Sequence, residues 1–259
     1  MIIAFMTRLL GCPSLAQRTF TLYRVLAAVF LVALVLQHSS FAQQNGAADS
    51  ELRGFSRRFL QEERDLWTSP LRIHQEDMKW LLPLGAGTAG LVLIDRKVSE
   101  DVRETSGLRR PSDMVSQVGA GPLVAVPLSM MALGHFSHNA RTAQAGSAGL
   151  EAFLHSGLIV QVLKTATNRE RPNKTLGDGG FWDGGKSFPS GHAITTWAFA
   201  AAMSDQYPDK KWVGVSGYSV ATAVSLARVG SRNHFPSDVL VGSSLGWLIG
   251  HYVSRHHQH

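Results

Sequence analysis

An all-α architecture is what this sequence predicts, a helical bundle of about six core helices. Six apolar segments, at about 80–94, 118–135, 147–167, 192–203, 212–229 and 238–253, are long enough for helices, and none shows the strict alternation of a half-buried strand. The residues able to do chemistry fall at the ends of these segments, so one end of a bundle can collect them.

Residues 1–42 read as a signal peptide. Arg8, Arg18 and Arg24 precede an apolar run over 25–36, and Ser40-Phe41-Ala42 supplies the small residues a signal peptidase accepts. Cleavage is expected near Ala42, and an uncleaved N-terminal anchor is the alternative. Cys12, the only cysteine, precedes the apolar run, which argues against a lipoprotein signal; its removal leaves a mature chain with neither disulfide nor thiolate nucleophile. Residues 43–79 form a linker and an amphipathic helix, in which Leu52, Phe55, Phe59, Leu66 and Trp67 recur at helical spacing. Thr68-Ser69-Pro70 ends that helix. It is expected to pack on the core, the alternative being an interfacial helix on an anionic membrane.

The bundle domain covers 80–255. Lys164 lies near the end of its third segment and is followed by Arg171-Pro172; Pro189-Ser190-Gly191-His192 opens the fourth; Arg228 closes the fifth, with His234 and Asp238 leading into the sixth. Singly, these clusters have ordinary readings: a solvated helix end, a serine N-cap, an ion pair one helical turn apart. In combination they fit phosphoryl transfer, because three cationic side chains can surround the peripheral oxygens of a phosphate, where transition-state charge resides. Ser190 and the backbone at Gly191 add donors, and glycine allows close approach. Two histidines remain, one available as nucleophile and one to protonate a leaving group.

The loop 178–185, with Phe181 and Trp182, falls beside these clusters, where its aromatics line an entrance or simply pack on the surface. Residues 256–259 are read as a solvated basic tail. Its His256, His257 and His259 are the nearest approach to a metal motif, and no metal site is expected. The net charge of +6 suggests anionic partners, such as an acidic membrane surface or phosphate substrates. Nucleic acid is disfavoured, since no helix-turn-helix, finger or basic–aromatic module is evident.

At these spacings the chain resembles the type 2 phosphatidic acid phosphatase superfamily, which includes bacterial class A acid phosphatases and vanadium-dependent haloperoxidases. The resemblance rests on Lys164 to Arg171-Pro172, on Pro189-Ser190-Gly191-His192, and on Arg228 to His234 to Asp238. One departure is Ala227, where the family usually has serine; this bears on the detail of the pocket and leaves the chemistry in place. The resemblance implies that His234 attacks phosphorus to form a phosphohistidine, that Asp238 orients and charge-stabilises it, and that His192 protonates the leaving oxygen. Lys164, Arg171, Arg228, Ser190 and Gly191 would hold the phosphate, with no cofactor.

The implied activity is an exported phosphomonoesterase, periplasmic or associated with an envelope membrane, acting on a phosphorylated lipid or a small phosphomonoester. The alternatives are a vanadium haloperoxidase, in which vanadate is the cofactor, and a non-catalytic envelope protein. Several segments fall short of the roughly twenty apolar residues needed to span a bilayer. If all six spanned after signal removal, Lys164 would face the cytoplasm, whereas the family's exported members work outside. A non-spanning bundle is therefore expected, the alternative being helices that span the bilayer as in the family's integral lipid phosphatases.

Overall fold

The computed structural model describes residues 45–257, apart from 106, 108 and 175–178. The signal peptide and the cleavage site near Ala42, together with Cys12, Asp178 and His259, lie outside the described residues. Eight α-helices and no strand occur among those described: α1 (Asn45–Thr68), α2 (Met78–Glu104), α3 (Arg109–Ala120), α4 (Ala125–Phe136), α5 (Ala140–Thr167), α6 (Gly191–Gln206), α7 (Lys211–Gly230) and α8 (Pro236–His256). The all-α bundle expected from the sequence is observed.

The chain divides into two units after Leu60. In the first, Phe55 and Phe59 of α1 stack with ring centroids 5.9 Å apart. The second begins at Gln61. Leu66 lies against the hydrophobic core, and Glu62 is buried with an oxygen 3.0 Å from His155 Nε2. As expected, α1 ends at Thr68, where Pro70 opens a short 3-10 turn over Ser69–Arg72.

The expected segment at 118–135 is two helices. Pro122, which has no N–H to donate, sits in a 3-10 turn over Gly121–Leu123 that separates α3 from α4. Helix α3 itself was not foreseen, because its few apolar residues, Met114, Val115 and Val118, are embedded in a polar sequence. The terminal tail is also shorter than expected: His256 belongs to α8, and His257 Nε2 lies 2.7 Å from the buried Glu151 Oε2. That partner draws residue 257 out of solvent.

The core is built from α5, α6 and α8, through Ala152, Ile159, Ile194, Ala198, Ile249 and Val253 among others. Gly242, Gly246 and Gly250 form one stripe of α8, and side chains there would run into Ser190, Ile194 and Ala198 of α6 in that order. The matching order makes α6 and α8 parallel, with both N-termini at one end. Gly149 and Gly191 run in opposite order against Phe199 and Val160, so α5 is antiparallel to α6 and its C-terminal end arrives at the same place. The short connection over 207–210 returns α7 to that end as well. Four helix ends converge there, two of them N-termini with outward-pointing N–H groups suited to an anion.

Candidate active site

Lys164 is in the last turn of α5, which Asn168 closes in a left-handed conformation (φ 43°) with its N–H donating to the Lys164 carbonyl. The Lys164 ammonium turns inward and donates to the Lys186 carbonyl at 2.7 Å. Ser190 is the N-cap of α6, its backbone N–H donating to the Asp238 carbonyl at 3.0 Å, so the starts of α6 and α8 are pinned together. Pro236 occupies the first turn of α8, and Asp238 caps it by accepting from the Phe235 N–H at 2.9 Å. Arg228 lies in the last turn of α7 and donates to Ser116 of α3 at 3.0 Å. Its Nε is buried and has no hydrogen-bond partner among the described residues.

These side chains share one electrostatic environment. Burial, then Arg228, Lys164 and Arg171, hold the His192 imidazolium down to a pKa of about 3. Burial, followed by the charges of Arg171 and Arg228 among others, pushes the Lys164 ammonium down to about 7. Arg228 is lowered to about 10, first by burial and then by Arg171, and burial lowers Arg171 itself. Cations that disfavour one another's charge at close range form a pocket for an anion. The motif residues Lys164, Arg171, His192, Arg228, His234 and Asp238 are thus brought together. Gly191 joins them, since a Cβ there would stand 3.6 Å from the Lys164 side chain.

One expected contact differs. His234 Nδ1 is 2.7 Å from the Ser187 carbonyl, whereas the nearer Asp238 oxygen is 3.6 Å away, beyond hydrogen-bond reach. A carbonyl can only accept, so Nδ1 carries the proton and Nε2 is left with the free lone pair. Orientation of His234 therefore comes from the main chain at Ser187, and Asp238 supplies charge. Asp238 is committed elsewhere, accepting from the Ser187 hydroxyl at 2.5 Å, the Phe235 N–H, and Arg169 Nη1 at 2.6 Å. Burial raises its pKa, but His234, Arg169 and Ser187 outweigh burial and the net shift is downward. His234 is neutral as well, its pKa lowered by burial to about 3 despite Asp238.

Arg169, Ser187, Asp95 and Ser116 support the site and were missed in the sequence. Arg169 is buried, bridging Asp238 to Asp95 of α2, and lies between the Phe181 and Phe235 rings at 4.7 and 4.4 Å. Phe181 therefore packs inward, while Trp182 is 77% exposed. Among the described residues no group of three or more His, Cys, Asp or Glu is arranged to hold a metal ion.

Residues 147–259 match the PAP2 superfamily. A lipid A 1-phosphatase of Porphyromonas gingivalis is 27% identical over 233 residues, covering 87% of this chain and 48% of the relative. A lipid A 1-phosphatase of Rhizobium johnstonii is 35% identical over 98 residues, covering 35% of this chain and 39% of the relative. The chain thus spans less than half the length of these curated relatives. The crystal structure of a transmembrane PAP2-type phosphatidylglycerolphosphate phosphatase from Bacillus subtilis is similar with a TM-score of 0.51 at 23% identity, covering 68% of this chain and 95% of that one. The matched segment contains all three residue clusters of the pocket, and the likeness to the solved phosphatase shows a shared all-α fold.

Proposed function

We propose that this protein is an exported phosphomonoesterase that hydrolyses a phosphorylated lipid through a phosphohistidine on His234. The observation that carries the reading is the unpartnered, buried Nε of Arg228 in a pocket shared with Lys164, Arg171 and two neutral histidines. A buried cationic donor without an acceptor is costly, and a phosphate oxygen would satisfy it. The lipid component is supported by the relatives, whose names specify lipid A as substrate. Leu71, Trp80 and Leu93, each at least 80% exposed, suit contact with a lipid surface. No helix among the described residues is long and apolar enough to cross a membrane.

In this reading Lys164, Arg171 and Arg228 bind the phosphate, assisted by the Ser190 hydroxyl and the N–H groups at the start of α6. The Nε2 lone pair of His234 attacks phosphorus, and the P–O bond to the alcohol breaks as His192 delivers its proton to the leaving oxygen. The negative charge of the bound phosphate offsets the cations that keep His192 neutral in the empty pocket, so substrate binding itself promotes that protonation. Formation of the P–N bond makes His234 cationic, and Asp238 at 3.6 Å stabilises it. Neutral His192 then takes a proton from water, the water attacks phosphorus, and inorganic phosphate and free His234 result.

Phosphate release should be measured on lipid and soluble phosphomonoesters, with and without detergent, alongside acid trapping of labelled phosphate on the protein. Turnover with label on the wild type and none on His234→Ala is expected. Label that persists without His234 would overturn the nucleophile. Absence of turnover on every monoester, together with peroxide-driven halide oxidation in the presence of vanadate, would overturn the phosphatase reading.

A further inference from the structure

A groove of about 670 Å³, within the size range of ligand pockets, runs along α6 and α7 beneath α3. Its lining is apolar, with Val115 and Val118 from α3, Phe199 from α6, and Val220 and Val224 from α7. Val118 is 73% exposed and Val220 50% exposed, so the walls face solvent along an open side. Hydrocarbon surface left open in this way points to an occupant.

One end of the groove comes within a helical turn of the phosphate pocket. Thr196, which lines it, donates to the His192 carbonyl at 2.7 Å one helical turn away. Val224 precedes Arg228 by one turn of α7, and Ser116, between the lining residues of α3, accepts from Arg228 Nη1 at 3.0 Å. Gly217 lies near the far end, eleven residues before Arg228, which at the helical rise is about 16 Å and matches a straight chain of about twelve carbons. A cationic pocket at one end and an apolar trough leading from it complement a molecule with a phosphate head and a hydrocarbon tail. The outer wall, 114–126, precedes the PAP2 match at 147–259.

We propose that this groove holds one hydrocarbon chain of the phosphorylated substrate and measures its length, with Val220 and Gly217 deciding how far the chain reaches. The proposal rests on the phospholipid-monoesterase reading and adds a length limit to it. Each methylene inside the groove should tighten binding by up to about fourfold, and those past Gly217 should add nothing.

The test is calorimetric binding of non-hydrolysable alkylphosphonates, from methyl to hexadecyl, below their micelle concentrations. Affinity for the wild type should climb with length and level off at about twelve carbons, the reach given by the helical rise. Val220→Trp blocks the trough and should bring the plateau to about nine carbons by the same rise. Val115→Trp, on the opposite wall, provides the same test should Val220→Trp not fold. Val215→Trp, an exposed position of α7 away from the groove, should leave the curve as in the wild type. Affinity independent of chain length, or rising alike in every variant without a plateau, would overturn the groove. Alkyl alcohols of matching length separate the two readings: if the phosphonates bind and length has no effect, the groove alone fails; if the alcohols bind as tightly as the phosphonates, the phosphate pocket fails and the proposal falls with it.

Discussion

Arg169 donates to Asp238 at 2.6 Å in an interior where both side chains are at most 2% exposed, and its second nitrogen reaches Asp95 at 2.7 Å. One cation thus bridges two buried carboxylates and ties α2 to the start of α8. Since Asp238 has no hydrogen bond to His234, Arg169 and Ser187 hold its carboxylate in place, and they join His234 in keeping it ionised.

Removing this cation should leave two uncompensated buried charges. Arg169→Met is expected to cost about 3–5 kcal/mol of stability, read by denaturant unfolding. Adding Asp95→Asn to the same chain should recover part of that loss while activity stays impaired, because Asp238 is still unpaired. Recovery of full activity by the double variant would mean that Arg169 serves only the fold.

Lys164 should set an alkaline limit on binding. Its pKa is pushed to about 7, first by burial and then by Arg171 and Arg228. Only the ammonium form attracts phosphate, so the charge is present below this pKa and is lost as pH rises through it. The inhibition constant for vanadate, which can adopt the trigonal bipyramid of the transition state, should therefore rise across the neutral range. Lys164→Arg keeps its charge and should flatten that rise. A slope identical in both proteins would assign the titration to another group.

Loss of His192 should depend on the leaving group. With His192→Ala, an alkyl phosphate should lose about 10²–10⁴-fold in rate, while a nitrophenyl phosphate, whose leaving oxygen hardly needs a proton, loses far less. Equal losses on the two esters would remove the general-acid role.

The residues legible in the sequence were those whose spacing along one strand of chain reflects a shared helix end. Lys164, Ser190, Arg228 and Asp238 could be placed because the apolar segments on which they sit are unmistakable helices. Arg169 stands two residues from Arg171 and looked like one more basic loop residue; its role depends on Asp95, which is 74 positions away in the chain and carries no local signal. The four-residue spacing makes the His234–Asp238 ion pair legible, whereas the hydrogen-bond acceptor of His234, a backbone carbonyl 47 residues upstream, carries no local signal. Pro122 interrupts the apolar segment at 118–135, but periodicity alone does not show that it divides two helices.

The glycines of α8 had a readable spacing of four, and their effect is testable apart from the chemistry. A methyl group at Gly246 would meet the Ile194 carbonyl, and one at Gly250 the Ala198 carbonyl, both rigid backbone of α6. Gly246→Ala should thus destabilise by about 1–3 kcal/mol, even though alanine is the better helix former. Gly85, inside α2 with nothing within 4 Å of its added Cβ, is the control, and Gly85→Ala should stabilise by about 0.5–1 kcal/mol. Gly242→Ala joins this argument to function. Its added methyl would stand 2.8 Å from the Ser190 carbonyl, so relief requires the start of α6 to move away from α8. That movement separates Ser190 and His192 from His234 and should lower kcat in a protein that still unfolds cooperatively. If Gly242→Ala loses stability to the same extent as Gly246→Ala but keeps its full kcat, the close approach of α6 and α8 serves packing alone.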